Sequence, residues 1–443
     1  MKRTVLLCGC LWLATGLLAQ QEFGLPNMRG VWQSSKINPA LLTNHKLVIG
    51  LPGLHNTLYF SGPTYGDAIT NVNGSSAINV DGLVAALEDR NFVQENLEIE
   101  TISAVVGLGP IHLSVSHTAR FNAYLNYPKA LPQLIWQGNA QFIGETIDLS
   151  NDLQIYSYQE FALGAASSFG PVSVGIRAKY LSGIGDLSTE RNQASLFTDP
   201  EFYALDFQAD YLLNSAGFLN YNSYSDFNLN LQFGELNAQN LFTQNTGFAF
   251  DIGAELELDK LRIGVSALDL GGSINWEEQV SNYAAEGSFA YDGLDISAAL
   301  TGDSSSIDNA LDTLSNIFMV TETNNTYSTQ LPTRVYLTGG YDLNEDFSVG
   351  VLYYGEWYRG EQFNGFSLSA NYDVLSFINV GASYGVFRDT YANLGLNTSV
   401  DLGPVQIYAI SDNILGLFSP DNSRYFTFRA GLNLVLAQPK EDE

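Results

Sequence analysis

The chain has 443 residues, 47 acidic against 19 basic side chains for a formal net charge of −28, and 15% charged, 12% aromatic residues with 41 glycines. So acidic a surface excludes nucleic acid as a partner, and so aromatic a chain does not stay disordered. The length would allow two or three domains, but no Pro-, Ser- or charge-rich linker divides it.

Met1 to Ala19 reads as a signal peptide. Lys2 and Arg3 give the positive start, Thr4 to Leu18 the apolar run, and Leu17-Leu18-Ala19 a cleavage site before Gln20. Cys8 and Cys10 both fall inside that run, with no long apolar stretch ahead of them, which argues against a lipid-anchored cysteine. Cleavage would leave no thiol or disulfide chemistry. No other stretch approaches the ~20 apolar residues of a membrane helix. A membrane form must therefore be a closed barrel, because hydrocarbon offers no partner to an open strand edge.

Gln20 to Asn44 carries Gly24, Pro26, Gly30 and Pro39 and no sustained period, so residues 20–44 are expected to form an irregular arm under or inside a barrel spanning 45–436. Strand character resumes over Lys46 to Ser61 around Pro52-Gly53, and Val80, Leu83, Val84 and Leu87 give a short helical pattern within Ala77 to Asn91. Hairpins are expected from Leu97 onward. Three of them turn on Gly-Pro, at Gly109-Pro110, Gly170-Pro171 and Gly403-Pro404, where one permissive residue and one fixed φ reverse the chain. Asp259-Lys260, Asn344 to Asp346 and Leu375-Ser376 fit further tight turns on the same rim.

The strongest pattern is the last: Phe426, Phe428, Ala430, Leu432 and Leu434 alternate with Thr427, Arg429, Gly431 and Asn433. Repeated along most of the chain, this two-residue period predicts an all-β fold, a transmembrane antiparallel β-barrel of about 14 strands. Sixteen is the alternative if Glu201 to Leu213 and Phe227 to Phe233 cross the membrane; their Tyr- and Asn-rich connection favours an extracellular hairpin. Long extracellular loops are expected at Tyr127 to Ile143, Ile184 to Asn245 and Gly271 to Gln330, the last with a short helix at Ile307 to Phe318. Residues 437–443 are left as a periplasmic tail.

If the apolar faces meet lipid, the opposite faces place Arg120, Arg177, Lys179, Arg262, Arg334 and Arg429 in the lumen against Asp251, Glu255, Glu257, Asp342, Glu356 and Asp373. The signs balance, which suits interior ion pairs bracing the barrel more than a selective ion pore. Tyr353, Tyr354, Trp357, Tyr358, Tyr384, Phe387 and Tyr391 are expected in interfacial girdles, with a hydrophobic ligand entrance as the other use of the same rings. His112 and Ser114 share the inward face and lack a third orienting group, so no enzyme is expected. His45, His55 and His117 have no metal-ligand spacing, and no cofactor is expected.

Ser411-Asp412-Asn413-Ile414-Leu415-Gly416-Leu417-Phe418, Arg424 and the final Gly431-Leu432-Asn433-Leu434-Val435 resemble the C-terminal signature of an uncharacterised outer-membrane β-barrel family of Bacteroidota. Ile37-Asn38-Pro39-Ala40, Ile49-Gly50-Leu51-Pro52, Lys179 to Gly183, and Leu268 to Gly271 with Trp276 resemble its opening and middle. That family is distantly similar to long-chain fatty-acid uptake channels and to the accessory barrels of type IX secretion and gliding. The resemblance implies that Asn38, Pro39 and Ala40 belong to an N-terminal plug. Residues 437–443 extend past the last strand, a departure from barrels that end on an aromatic. Asp312-Thr313-Leu314 resembles a Bacteroidota O-glycosylation motif, against the plainer reading of an unmodified loop.

The expected place is the outer membrane of a Gram-negative bacterium. Two functions remain open: a plugged channel admitting a small hydrophobic molecule, and a structural or secretion-accessory barrel that holds a protein partner by its extracellular loops.

Overall fold

The computed structural model describes residues 23–72, 75–223, 226–231, 241–291, 319–388 and 390–436. The signal peptide, the tail at 437–443, the Ile307 to Phe318 helix and the Asp312-Thr313-Leu314 motif lie outside the described residues. Fourteen antiparallel strands close one barrel. They are β1 (Leu47–Gly50 and Gly53–Phe60, broken at Leu51-Pro52), β2 (Arg90–Leu108), β3 (Ile111–Pro128), β4 (Asp152–Phe169), β5 (Val172–Thr198), β6 (Thr246–Leu258) and β7 (Leu261–Trp276). The circuit continues with β8 (Tyr327–Gln330 and Thr333–Asp342), β9 (Phe347–Tyr358), β10 (Glu361–Leu375), β11 (Ile378–Phe387), β12 (Thr390–Leu402), β13 (Val405–Ser411) and β14 (Tyr425–Leu436). β1 pairs with β14 on one side and β2 on the other, so the sheet keeps no edge for hydrocarbon to strand.

The period that predicts these strands also explains their two faces. On β6, Phe248, Phe250 and Ile252 are exposed, while Ala249 and Asp251 between them are fully buried. Phe428 and Leu432 on β14 likewise point out, and Thr427, Arg429 and Asn433 point in. A continuous apolar outer face of this extent suits a bilayer and not water. Leu108 pairs with Ile111, Phe169 with Val172 and Leu402 with Val405, each across a two-residue Gly-Pro turn. The glycines have φ of 67°, 62° and 65°, the positive value that a II′ hairpin turn needs at its first position.

The strand count is fourteen because the Leu205–Ala216 segment does not cross the membrane. It pairs with the far half of β5 and with Val280–Tyr291, beyond the point where β6 takes over the near half of β5. The expected hairpin is corrected here: Asp226–Leu229 pairs with Leu219–Ser223, not with Leu205–Ala216. β5 runs for 27 residues, far longer than the ~10 needed to cross. β2 also begins at Arg90 instead of Leu97, because its outer end pairs with β3 as far as Pro128. The short helical pattern becomes a helix at Val80–Ala85, capped by the Asn79 side chain.

Candidate functional site: the filled lumen

Three layers fill the barrel. The lowest is the arm, which enters the lumen with two short 3-10 turns, Leu25–Asn27 and Trp32–Lys36. Phe23, Leu25, Val31, Gln33 and Ile37 are fully buried. Asn38 makes a tight turn: its Oδ1 accepts from Ala40 N at 3.0 Å and its Nδ2 donates to the Ala254 carbonyl at 3.1 Å. Pro39 is seated where the wall has no side chain, since a Cβ at Gly175 would stand 2.1 Å from its carbonyl oxygen. The arm is then pinned. Lys36 Nζ meets Glu100 at 2.5 Å, Arg177 donates to the Ser35 carbonyl at 2.9 Å, Ser266 Oγ donates to the Ile37 carbonyl at 2.6 Å, and Arg29 pairs with Glu255.

Above the arm lies a layer of paired charges. Glu98 pairs with Arg120 and, at 3.0 Å, with Arg429. Arg120 also reaches Glu160 at 2.8 Å. Lys179 lies 2.9 Å from Asp251 and 2.7 Å from Asp269, and Arg177 adds a contact to Asp251 at 3.4 Å. Arg334 bridges Asp269 at 3.4 Å and Glu356 at 3.1 Å. Asp251 and Glu356 are fully buried, so each attraction acts with little water to screen it. This geometry braces the wall: each bridge ties strands that are adjacent or one strand apart.

Arg262 sits lower, paired with Asp342 at the periplasmic mouth. Asp373 is exposed at that same mouth, where it accepts from Asn379 Nδ2 at 2.8 Å, so it is not part of the buried layer. Sequence reasoning missed Lys36, Glu98, Glu100, Glu160 and Asp269. Glu98 was within reach, because it faces Arg120 across one strand pair. Asp269 was not: its φ of 56° marks an irregularity in β7 that shifts the alternation.

The uppermost layer is aromatic. Tyr59 and Phe387 meet edge to face with ring centres 4.8 Å apart, Phe387 and Tyr425 lie at 4.6 Å, and Tyr336 and Tyr354 at 4.9 Å. Tyr124 stands edge-on to Tyr358 at 5.5 Å, and Tyr156 stacks on Tyr158 at 5.9 Å. Arg388 enters this layer from the outer turn, its guanidinium 3.8 Å above Phe363 and 4.5 Å from Tyr59, and donates to Gln94. The girdle expectation is corrected for three residues: Tyr354, Tyr358 and Phe387 face inward, while Trp357, Tyr384 and Tyr391 are exposed outside. Alternation is the reason, for Tyr354 and Tyr358 share the parity of the buried Glu356, and Trp357 does not.

His112 faces the arm, its Nε2 3.0 Å from the Thr43 carbonyl oxygen. Among the described residues no group of three His, Cys, Asp or Glu side chains could hold a metal ion. Outside, a cleft of about 410 Å³ between Ile102, Val115, Phe161, Leu163, Tyr180 and Phe248 faces the bilayer.

The family model described as a family of unknown function, DUF5723, matches residues 39–412. No curated protein matches the chain. Among solved structures, the chain is similar to the toluene transporter TbuX of Ralstonia pickettii at 9% identity and a TM-score of 0.43, over 90% of this chain and 92% of that one. It is also similar to a FadL homologue of Pseudomonas aeruginosa at 11% identity and a TM-score of 0.44, over 96% of this chain and 100% of that one. The toluene transporter TodX of Pseudomonas putida follows at 10% identity and a TM-score of 0.39, over 91% and 92%.

Proposed function

The chain belongs to the DUF5723 family, and we propose that it is an outer-membrane channel, plugged by its N-terminal arm, that takes up a small hydrophobic molecule. The observation that carries this reading is the aromatic layer. The inside of a membrane barrel is ordinarily polar, yet here Tyr59, Tyr336, Tyr354, Phe387 and Tyr425 turn buried rings into the outer half of the lumen. Such a lining favours an apolar solute arriving from outside, because ring burial rewards apolar contact and Tyr adds a polar edge. The arm and the charged layer below would keep the barrel closed to polar traffic until the solute is seated.

Uptake of radiolabelled toluene by cells that express the protein tests this. Expression should raise uptake, and replacing Tyr354 and Phe387 with Asn should remove the gain at unchanged protein level. Equal uptake with and without the protein overturns the reading.

A second reading is a structural barrel, including a secretion or gliding accessory, that holds a protein partner outside the membrane. It draws on the paired extension of β5 with Leu205–Ala216 and Val280–Tyr291, which offers a stiff surface in place of loose loops. Crosslinking on intact cells would recover a stoichiometric partner on that reading.

A further inference from the structure

The arm is not held equally on all sides. Its ion pairs go to β2 and β6, and its hydrogen bonds go to β2, β5, β6 and β7 and, through Gln33 with Asn433 and Gly30 with Gln406, to β14 and β13. On β10 to β12 it meets a wall of small polar residues arranged in rows by the strand register: Asn371, Gly381 and Asn397; then Ser369, Ser383 and Gly395; then Ser367, Gly385 and Asn393. The arm lies against this wall at Phe23, beside Gly385, and at Gly24, beside Asn397, and among the described residues its one hydrogen bond to these rows is Asn27 Nδ2 donating to Ser369 Oγ at 2.7 Å.

Two observations mark this wall. Asn371 and Asn397 are each only 4% exposed, yet among the described residues neither amide nitrogen nor amide oxygen has a hydrogen-bond partner, and Ser367 Oγ is likewise unpaired. Buried amides in that state need water or a ligand group, because leaving them bare costs their full desolvation. Below them a cavity of about 290 Å³ opens at the periplasmic mouth, lined by Asn27 and Arg29 of the arm, by Asp342 of β8, and by Asn371, Asp373 and Ser399 of the wall. Asn371 belongs to both the row and the cavity.

We propose that the seam where the pinned arm meets this wall is hydrated, and that solute leaves along it to the periplasm while the arm stays in place. The seam rests on the channel reading above and narrows its solute class to a small amphiphile, with an apolar body for the aromatic layer and a hydrogen-bonding group for the Asn and Ser rows. Phe23 is its upper stopper. The ring is fully buried against Gly385, where a Cβ would stand 2.6 Å from it, and it packs in one cluster with Tyr59 and Phe387. Wet rows below and dry rings above therefore meet at one side chain.

The test reads water and ions, so it judges the seam whether or not any solute is taken up. In the reconstituted full chain, Ser383→Cys should react with a charged, water-borne methanethiosulfonate as Asp373→Cys at the mouth does, although Ser383 is only 4% exposed. Leu352→Cys, 1% exposed and within the cluster that holds Phe23, should stay unreactive. In planar bilayers, Phe23→Ala should raise ion conductance about tenfold, and Asn371→Leu with Asn397→Leu on that background should cancel the gain by removing the groups that hold water. Ser383→Cys as inert as Leu352→Cys, or a Phe23→Ala gain that survives both leucines, overturns the seam.

Discussion

The lumen has two walls made on different principles. Below the aromatic rings, β2 to β9 carry long charged inward side chains that find their counter-charges on other strands: Glu98 with Arg120, Lys179 with Asp269, Arg334 with Glu356. The same levels of β10 to β12 hold short neutral side chains, and Asn371, Asn397 and Ser367 have polar atoms with no hydrogen-bond partner among the described residues, as Gln159 on β4 also has. The first wall resists change because each charge depends on a partner on another strand; the second, among the described residues, carries no such pairs. On the channel reading proposed above, a barrel that stays closed yet passes solute draws on both.

The largest expected break is Asp269→Ala on the charged wall. It leaves Lys179 and Arg334 short of a buried partner, and loss of one side of a buried pair costs ~3–5 kcal/mol. Urea unfolding in detergent, followed by heat-modifiable gel mobility, should show the midpoint fall. A midpoint equal to the parent's would mean that the layer contributes little and that the contrast between the walls is false.

Gly385→Val probes the neutral wall at the point where the arm's Phe23 packs on it. The new side chain must displace Phe23, and overpacking of this kind costs ~1–3 kcal/mol. The expected loss is smaller than for Asp269→Ala, and quenching of Trp32 on the arm by acrylamide should rise as the arm shifts. An equal or larger loss would reverse the ranking of the walls.

The smallest effect lies outside both walls and serves as their reference for acid. The Thr64 backbone N–H and hydroxyl hold the Asp67 carboxylate below its usual range by hydrogen bonding, in a capping box on the short Tyr65–Ala68 helix of the first outer loop. A depressed folded value means that this cap contributes above the unfolded pKa and is lost as pH falls through the folded one. Hydrogen exchange at the Asp67 amide should therefore quicken only at pH below the ordinary carboxylate range, with Asp67→Asn removing the pH step. A step near neutrality would assign the change to another group.

The outer face was legible because lipid imposes one rule on every strand, so a two-residue period in Phe248, Phe250 and Ile252 reads without any partner being known. The strand total followed from the same rule, and so did the single rim of Gly-Pro turns. The interior was harder because its logic is relational. Lys36 answers Glu100 and Arg29 answers Glu255 and Glu257, a match between an aperiodic arm and strands far along the chain that no local pattern records. Bulges add to the difficulty: register shifts between Glu100 and Ile102 and between Ser157 and Tyr158 change which parity points inward. One signal lies in the pattern itself: with Glu356 in the lumen, Tyr354 and Tyr358, two residues to either side, share its inward face and cannot lie at the membrane interface.

The length of β5 has a consequence at the cell surface. At ~3.3 Å per residue its 27 residues extend ~90 Å along the strand, of which crossing the bilayer uses well under half. An antibody, a phage tail or a neighbouring cell thus touches a raised crest of paired backbone before it touches lipid. Such a crest presents the same shape at every encounter, and an adversary that learns to grip it is escaped by changing side chains on its flanks more readily than by redrawing its outline.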